Sequence, residues 1–164
     1  MIGTYFLFLY WPSFNGATGT GSQQIRAVIT TLLSITTSVY SALLASRIFK
    51  PEVHEIDGKK VSHNVLDVEI LLNATLAGGV CMGSAADILA KPYYAMICGW
   101  VTGVVSALGY IYIGPFLKAK INLNDTCGIH NLHAMPGVIG GVIAAIAANH
   151  QSQTTFGARY GDFF

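Results

Sequence analysis

The sequence contains long segments without any charged residue, and these segments restrict the fold more than any other feature. Four of them have 17 to 33 consecutive uncharged residues each and cover residues 27–46, 70–86, 92–117 and 126–158. A fifth uncharged segment, residues 1–17, opens the chain. Because a helix of about 20 apolar residues crosses the hydrocarbon core of a bilayer, the five segments predict five membrane-spanning helices.

The alternative is that these segments are buried helices of a soluble protein. Charged residues make up 10% of the 164 residues, against about a quarter in soluble domains, and the mean hydropathy is +0.52. A chain this short has no exterior under which to bury five apolar helices. The composition also excludes intrinsic disorder, and a net charge of +1 leaves no basic field for nucleic acid.

We therefore predict an all-α, polytopic membrane protein with a single membrane domain over residues 1–164, held in a lipid bilayer. We place its five transmembrane helices at about 1–17, 26–48, 68–89, 93–117 and 126–148. The three cysteines all lie in apolar segments without the spacing of a metal site, so we expect neither a metal nor another cofactor. Nothing in the pattern predicts an enzyme.

Basic residues distinguish the two sides of the membrane. The second and fourth connections, with their flanks, carry six of them: Arg47, Lys50, Lys59, Lys60, Lys118 and Lys120. The first and third connections carry two, Arg26 and Lys91. Since short cytoplasmic loops are rich in Lys and Arg, we predict that the first span runs from inside to outside and that the fifth also ends outside.

Three of the spans contain pairs of glycines four residues apart. These pairs are Gly79/Gly83, Gly99/Gly103 and Gly137/Gly141. Small residues at this spacing let two helices approach closely in lipid. The pattern is explained either by helix packing within one bundle or by a dimerisation face, and we favour the bundle because three separate spans carry it.

The last span holds two ionisable side chains, His130 and His133, in an otherwise apolar segment. Such residues are costly in lipid and usually face a cavity or a partner. Three interpretations remain: interfacial or helix-bonded histidines, two ligands of a metal site, or a neutral imidazole lining a narrow pore. Pro136 loosens the backbone beside His133 because it lacks an N–H group, and Asp125 lies where a carboxylate would cap the helix.

The first span contains the sequence Tyr-Trp-Pro-Ser-Phe-Asn, residues 10–15. Pro12 and Asn15 are unusual in a lipid-facing helix, so this segment is expected to face protein or water. Phe14 fits either a pore constriction, whose ring would attract a cation such as ammonium, or an aromatic residue at the membrane interface.

Three segments together resemble the ammonium transporter family, and specifically its Rhesus (Rh) glycoprotein branch. They are GTYFLFLYWPSFN (3–15), NATLAGG (73–79) and DTCGIHNLH with its following Pro-Gly (125–137). The element Asp-Thr-Cys-Gly followed by Asn-Leu-His is specific to the Rh branch. The resemblance covers nearly the whole chain in the right order.

The resemblance implies a homotrimer at the plasma membrane, with an ammonia pore through each subunit. Such a pore has a vestibule that recruits ammonium, two stacked phenylalanines and two imidazoles on different helices. By position, His133 matches the second pore histidine and Phe14 the second gate phenylalanine, with Asn15 beside it. Asp67 resembles an acidic residue of the inner vestibule, and Asp125 matches the aspartate before the histidine helix.

Two positions limit which residue roles of the family are assigned to this chain. His130 is a position at which relatives can carry asparagine, so it is not assigned to the pore. Lys118 follows Pro-Phe-Leu at the end of the fourth span, where relatives can carry an acidic residue. The family's core also has two inverted repeats of five spans, and this chain resembles the second, so the resemblance implies that the first lies upstream of Met1.

The function that we expect is therefore ammonia or ammonium transport through a histidine-lined pore. The alternatives are a non-conducting membrane subunit that anchors partners and, less favoured, a metal-ion carrier that uses His130 and His133. We expect the chain alone not to conduct, because half of the pore lining would be missing.

Overall fold

A computed structural model describes residues 2–49, 52–56, 59–63, 68–89 and 91–150. Within these residues the chain forms five helices, which we label α1 (Ile2–Gly16), α2 (Ser22–Phe49), α3 (Val68–Cys81), α4 (Pro92–Ile121) and α5 (His130–His150). Helices α2, α4 and α5 are long and apolar enough to cross a bilayer. The predicted five-helix, all-α membrane architecture is confirmed.

Helices α1 and α3 are shorter, with 15 and 14 residues. The predicted third span extends to residue 89, but α3 ends at Cys81 and the chain continues in turns. The Ala86 amide donates to the Met82 carbonyl at 3.0 Å, and the Leu89 amide donates to the Ala85 carbonyl at 3.1 Å.

The connection between α2 and α3 contains a β-hairpin that the sequence analysis did not predict. Strand β1 (Glu52–Ile56) pairs antiparallel with β2 (Lys59–His63), with Glu52 opposite His63. The sequence between the strands is Asp-Gly, a pair typical of two-residue hairpin turns. The fold is therefore a helical membrane bundle with a small hairpin in one connection.

Helix α2 lies at the centre of the bundle and packs against α1, α3 and α4. Its buried face is rich in small hydroxyl side chains, which bond to backbone carbonyls of the α3 region. Thr30 Oγ1 donates to the Ala86 carbonyl at 2.7 Å, Ser34 Oγ to the Gly78 carbonyl at 3.0 Å and Ser38 Oγ to the Ala74 carbonyl at 2.7 Å. Such bonds hold helices together where no water competes.

One glycine pair lies at this central contact. A methyl group at Gly99 or Gly103 of α4 would overlap the backbone carbonyl of Ser34 or Ser38 in α2. This pair therefore packs within the bundle. In contrast, a methyl group at Gly141 of α5 would have no atom within 4 Å in the described part of the chain.

Long-range hydrogen bonds show that successive helices run in opposite directions. Near the start of α2, an Arg26 guanidinium N–H donates to the Asp87 carbonyl at 3.0 Å, close to the end of the α3 region. Near the end of α2, the Phe49 carbonyl accepts a bond of 3.4 Å from the Tyr112 hydroxyl in the second half of α4. The first and third connections therefore lie at the same end of the bundle.

Two of the helices contain a wider, π-helical turn, at Gly109–Ile113 in α4 and His130–Ala134 in α5. In each, the residue after the turn donates its amide five residues back, from Gly114 to Gly109 and from Met135 to His130. A proline follows at once in both cases. Because a proline ring clashes with the carbonyl four residues before it, the wider turn relieves the clash without ending the helix.

Candidate pore-lining residues

Asp125 lies just before α5 and binds the first turn of that helix. Its Oδ1 accepts a bond from the Ile129 amide at 2.8 Å, and its Oδ2 accepts one from the His130 amide at 2.8 Å. These amides have no partner within the helix, and a negative charge at a helix N-terminus also interacts favourably with the helix dipole. Asp125 therefore fixes the start of the helix that carries both histidines.

Replacing Asp125 with alanine is expected to lower the free energy of unfolding of the complete protein by about 1 kcal/mol, because two amides lose their acceptor. Asp125→Asn keeps one acceptor oxygen and should lose less than Asp125→Ala. Thermal unfolding in detergent measures both variants. Equal stability of Asp125→Ala and the unchanged protein would contradict the capping role.

A turn that contains Gly128 connects Asp125 to α5. Gly128 has a φ of +64°, a conformation that L side chains rarely adopt. The Tyr110 hydroxyl of α4 donates to the Gly128 carbonyl at 3.1 Å, and its ring occupies the space where a side chain of residue 128 would begin. The start of α5 is thus held against the π-helical turn of α4.

The π-helical turn of α5 separates its side chains into two groups. Asn131 and Leu132 are buried, with Asn131 only 3% exposed, whereas His133 is exposed. His130 is half-buried, and its Nδ1 lies 3.2 Å from Asn131 Oδ1. A wider turn increases the angle between residues three apart, so the two imidazoles share a face less closely than in a regular α-helix.

Phe14 lies on the exposed side of α1, with 74% of its surface accessible. Its ring meets the Trp11 indole nearly edge-on, with ring centroids 6.4 Å apart and an interplanar angle of 69°. The indole lies against Gly79 of α3, where a methyl group would be 2.7 Å from Trp11 Nε1. The glycine therefore allows Trp11 to sit between α3 and Phe14.

Asn15 connects three helices through its amide group. Asn15 Nδ2 donates to the Gly79 carbonyl of α3 at 3.1 Å and to Thr31 Oγ1 of α2 at 3.2 Å. Pro12 and Gly16 are the buried residues of α1. Polar Asn15 thus faces protein in this helix, and its contacts fix the helix turn that carries Phe14.

The structure does not place Phe14 and His133 on neighbouring helices. Helix α1, which carries Phe14, packs against α2 and α3. Helix α5, which carries His133, packs against α3 and α4, so α3 lies between α1 and α5. Asp67, the predicted vestibule residue, lies outside the described residues. Within the described ranges, no group of three His, Cys, Asp or Glu side chains is placed to hold a metal ion.

Sequence reasoning did not identify Tyr110, Gly128, Asn131, or the contact of Trp11 with Gly79. A signal existed for the π-helical turns, since Pro115 and Pro136 each stand inside an apolar span. Gly79 belongs to a glycine pair and Gly128 to the Asp-Thr-Cys-Gly element, but neither pattern indicates which side chain lies against the glycine.

Comparison with known proteins identifies the chain at the family level. The sequence profile of the ammonium transporter family matches residues 1–163. The chain belongs to the ammonium transporter family. It is thus part of a multi-pass membrane protein. The family that its motifs indicated is confirmed.

Curated relatives come from the Rh branch. The chain is 44% identical to ammonium transporter Rh type C of Tetraodon nigroviridis over 158 residues, which cover 96% of this chain and 31% of the relative. It is 43% identical to human ammonium transporter Rh type C over the same share of each chain. The chain thus spans about a third of the length of these relatives.

Solved structures give the same result for the fold. A structure described as Nitrosomonas europaea Rh50 and the mechanism of conduction by the Rhesus family of channels matches with a TM-score of 0.76 and 34% identity, covering 88% of this chain and 35% of that one. A sensor Amt protein matches with a TM-score of 0.71 over 98% of this chain, at 20% identity. The second match shows the fold alone.

Proposed function

We propose that the complete protein moves ammonia or ammonium across a membrane, through a pore that this chain lines in part. The observation that carries the proposal is the exposure of His133 on an apolar helix long enough to cross a bilayer. An imidazole directed at lipid is costly, so this side chain needs a polar or protein neighbour on that face. A pore completed by the rest of the protein supplies one.

The chemistry of His133 suits ammonia as cargo. A neutral imidazole donates one hydrogen bond and accepts another, so it can replace water around a small amine that does both. A bare ammonium ion is far more expensive to bring into a narrow apolar passage than neutral ammonia. Ammonium therefore gives its proton to water on the entry side, and ammonia moves past His133.

Phe14 and Asp67 complete the proposed path within this chain. The exposed ring of Phe14, held by Trp11, narrows the path and attracts ammonium by its aromatic face. Asp67 recruits cations at the cytoplasmic end, and Asn15 holds α1 in place. We also propose a homotrimer in the plasma membrane, with the first pore histidine and first gate phenylalanine supplied by an upstream repeat.

A flux experiment tests the proposal. The complete protein is reconstituted into liposomes with a pH dye inside, and an inward ammonia gradient is applied by rapid mixing. We expect faster alkalinisation of the interior than in empty liposomes. Residues 1–164 alone, reconstituted at the same protein-to-lipid ratio, should match empty liposomes, because half of the pore lining is missing.

Two results would contradict this reading. No ammonia flux through correctly inserted complete protein would favour a non-conducting membrane subunit. Flux through residues 1–164 alone would show that this chain conducts without the proposed upstream repeat.

A further inference from the structure

The side chain of Asn131 makes one of the contacts between the two π-helical turns. It is 3% exposed and lies against Gly109, the first residue of the wide turn of α4. A methyl group at Gly109 would be 2.9 Å from Asn131 Cγ, and closer still to Asn131 Oδ1 and to Met135 Cε. The Asn131 amide and the end of the Met135 side chain thus fill a slot that exists because residue 109 has no side chain.

The other side of the slot is less tight. A methyl group at Gly114 would be 3.6 Å from Asn131 Nδ2, an ordinary van der Waals contact. The two glycines therefore differ in one respect that an experiment can use: a methyl group fits at Gly114 and does not fit at Gly109. Gly114 precedes Pro115 in the same way that Met135 precedes Pro136 in the other π-helical turn. Since Met135 carries a side chain there, this backbone position is compatible with one.

His133 belongs to the same turn as Asn131, two residues further along. A π-helical turn carries an extra residue, so its side-chain directions depend on where that residue is accommodated. With Asn131 held in the slot, the turn cannot rotate about the axis of α5 without breaking the contact with α4. The direction of the exposed His133 imidazole is set in this way.

We propose that Asn131, seated against Gly109, is a positioning residue that directs the His133 imidazole into the conduction path. The proposal rests on the proposed function of His133 in transport. Asn131 itself is buried and does not contact the cargo. Asn131 affects transport through His133. The losses of flux caused by substitutions at the two residues should therefore not add.

The experiment compares Gly109→Ala with Gly114→Ala in the complete protein, each in the unchanged and the His133→Ala background. Gly109→Ala should lower ammonia flux about tenfold, since small displacements of a positioned group have effects of this size, whereas Gly114→Ala should stay within about twofold. In the His133→Ala background, Gly109→Ala should cause no further loss. A merely structural role would lower flux in both backgrounds equally.

If the Gly109→Ala protein does not insert into the membrane, Asn131→Ala replaces it in the experiment. Asn131→Ala removes the Asn131 amide from the slot without introducing a clash. It should also lower flux in the unchanged background and leave His133→Ala unaffected. Equal losses in both backgrounds, or no loss in either, would overturn the positioning role while leaving ammonia transport intact.

A structural measurement separates this inference from the transport proposal. Cryo-electron microscopy of the Gly109→Ala protein should show the His133 side chain displaced, and that of Gly114→Ala should show it in place. If the unchanged protein carries no ammonia, the proposed function fails, and the two structures still decide whether Asn131 positions His133. An undisplaced His133 in Gly109→Ala would overturn the inference.

Discussion

Gly128→Ala is expected to be strongly destabilising, lowering the free energy of unfolding of the complete protein by about 3 kcal/mol. Two effects add. Alanine resists the φ of +64° that this turn requires, and its methyl group would overlap the ring and hydroxyl of Tyr110. The hydrogen bond from Tyr110 to the Gly128 carbonyl would be lost with the displacement.

Gly21→Ala is the matched control for this prediction. Gly21 has a φ of +56°, but a methyl group there would have no atom within 4 Å among the described residues. This variant should therefore lose only the conformational part, about 1 kcal/mol. Thermal unfolding of the detergent-solubilised protein measures both variants. Equal losses at the two glycines would mean that the contact with Tyr110 contributes nothing.

The membrane architecture could be predicted because the bilayer imposes a simple rule on the sequence. A span must exclude charge over about 20 residues, so the gap from Arg26 to Arg47 predicts α2 and the gap from Lys91 to Lys118 predicts α4. Asp125 was also accessible to sequence reasoning, because a carboxylate just before an apolar helix has one common structural use. These are local properties of the chain.

Other features depend on contacts between distant segments and carry no local signal. Gly109 matters because Asn131, 22 positions later, occupies the space beside it. The slot is formed by two helices together. The hairpin of strands β1 and β2 is different: its Asp-Gly pair was a usable signal, but the segment between α2 and α3 was predicted only as a connection between two spans.

The candidate site was predicted residue by residue from the resemblance, and the structure adds how its members are held. In a regular α-helix, His130 and His133 would lie on roughly one face, because they are three residues apart. The π-helical turn changes this, because it accommodates Pro136 and leaves His130 half-buried beside Asn131 while His133 is exposed. The two histidines therefore have different surroundings, and this difference provides the sharpest test of the pore assignment.

His133→Ala is expected to lower ammonia flux through the complete protein about tenfold, with insertion and stability little changed. The side chain is exposed in this chain, so its removal leaves no cavity in the bundle. What is lost is a hydrogen-bonding partner for the cargo, and one such bond of about 1.4 kcal/mol corresponds to a factor of ten in rate. Stopped-flow alkalinisation of proteoliposomes measures the loss.

His130→Ala is the control, since it removes the same imidazole from the same turn at a half-buried position beside Asn131. Its flux should remain within about threefold of the unchanged protein. His133→Asp adds a sharper readout: a carboxylate in the path stabilises a cation, so transport should become electrogenic and detectable as current across a supported membrane. If His133→Ala and His133→Asp both retain the flux and the selectivity of the unchanged protein, His133 does not line the pore, and the exposed face of α5 must instead contact another part of the protein.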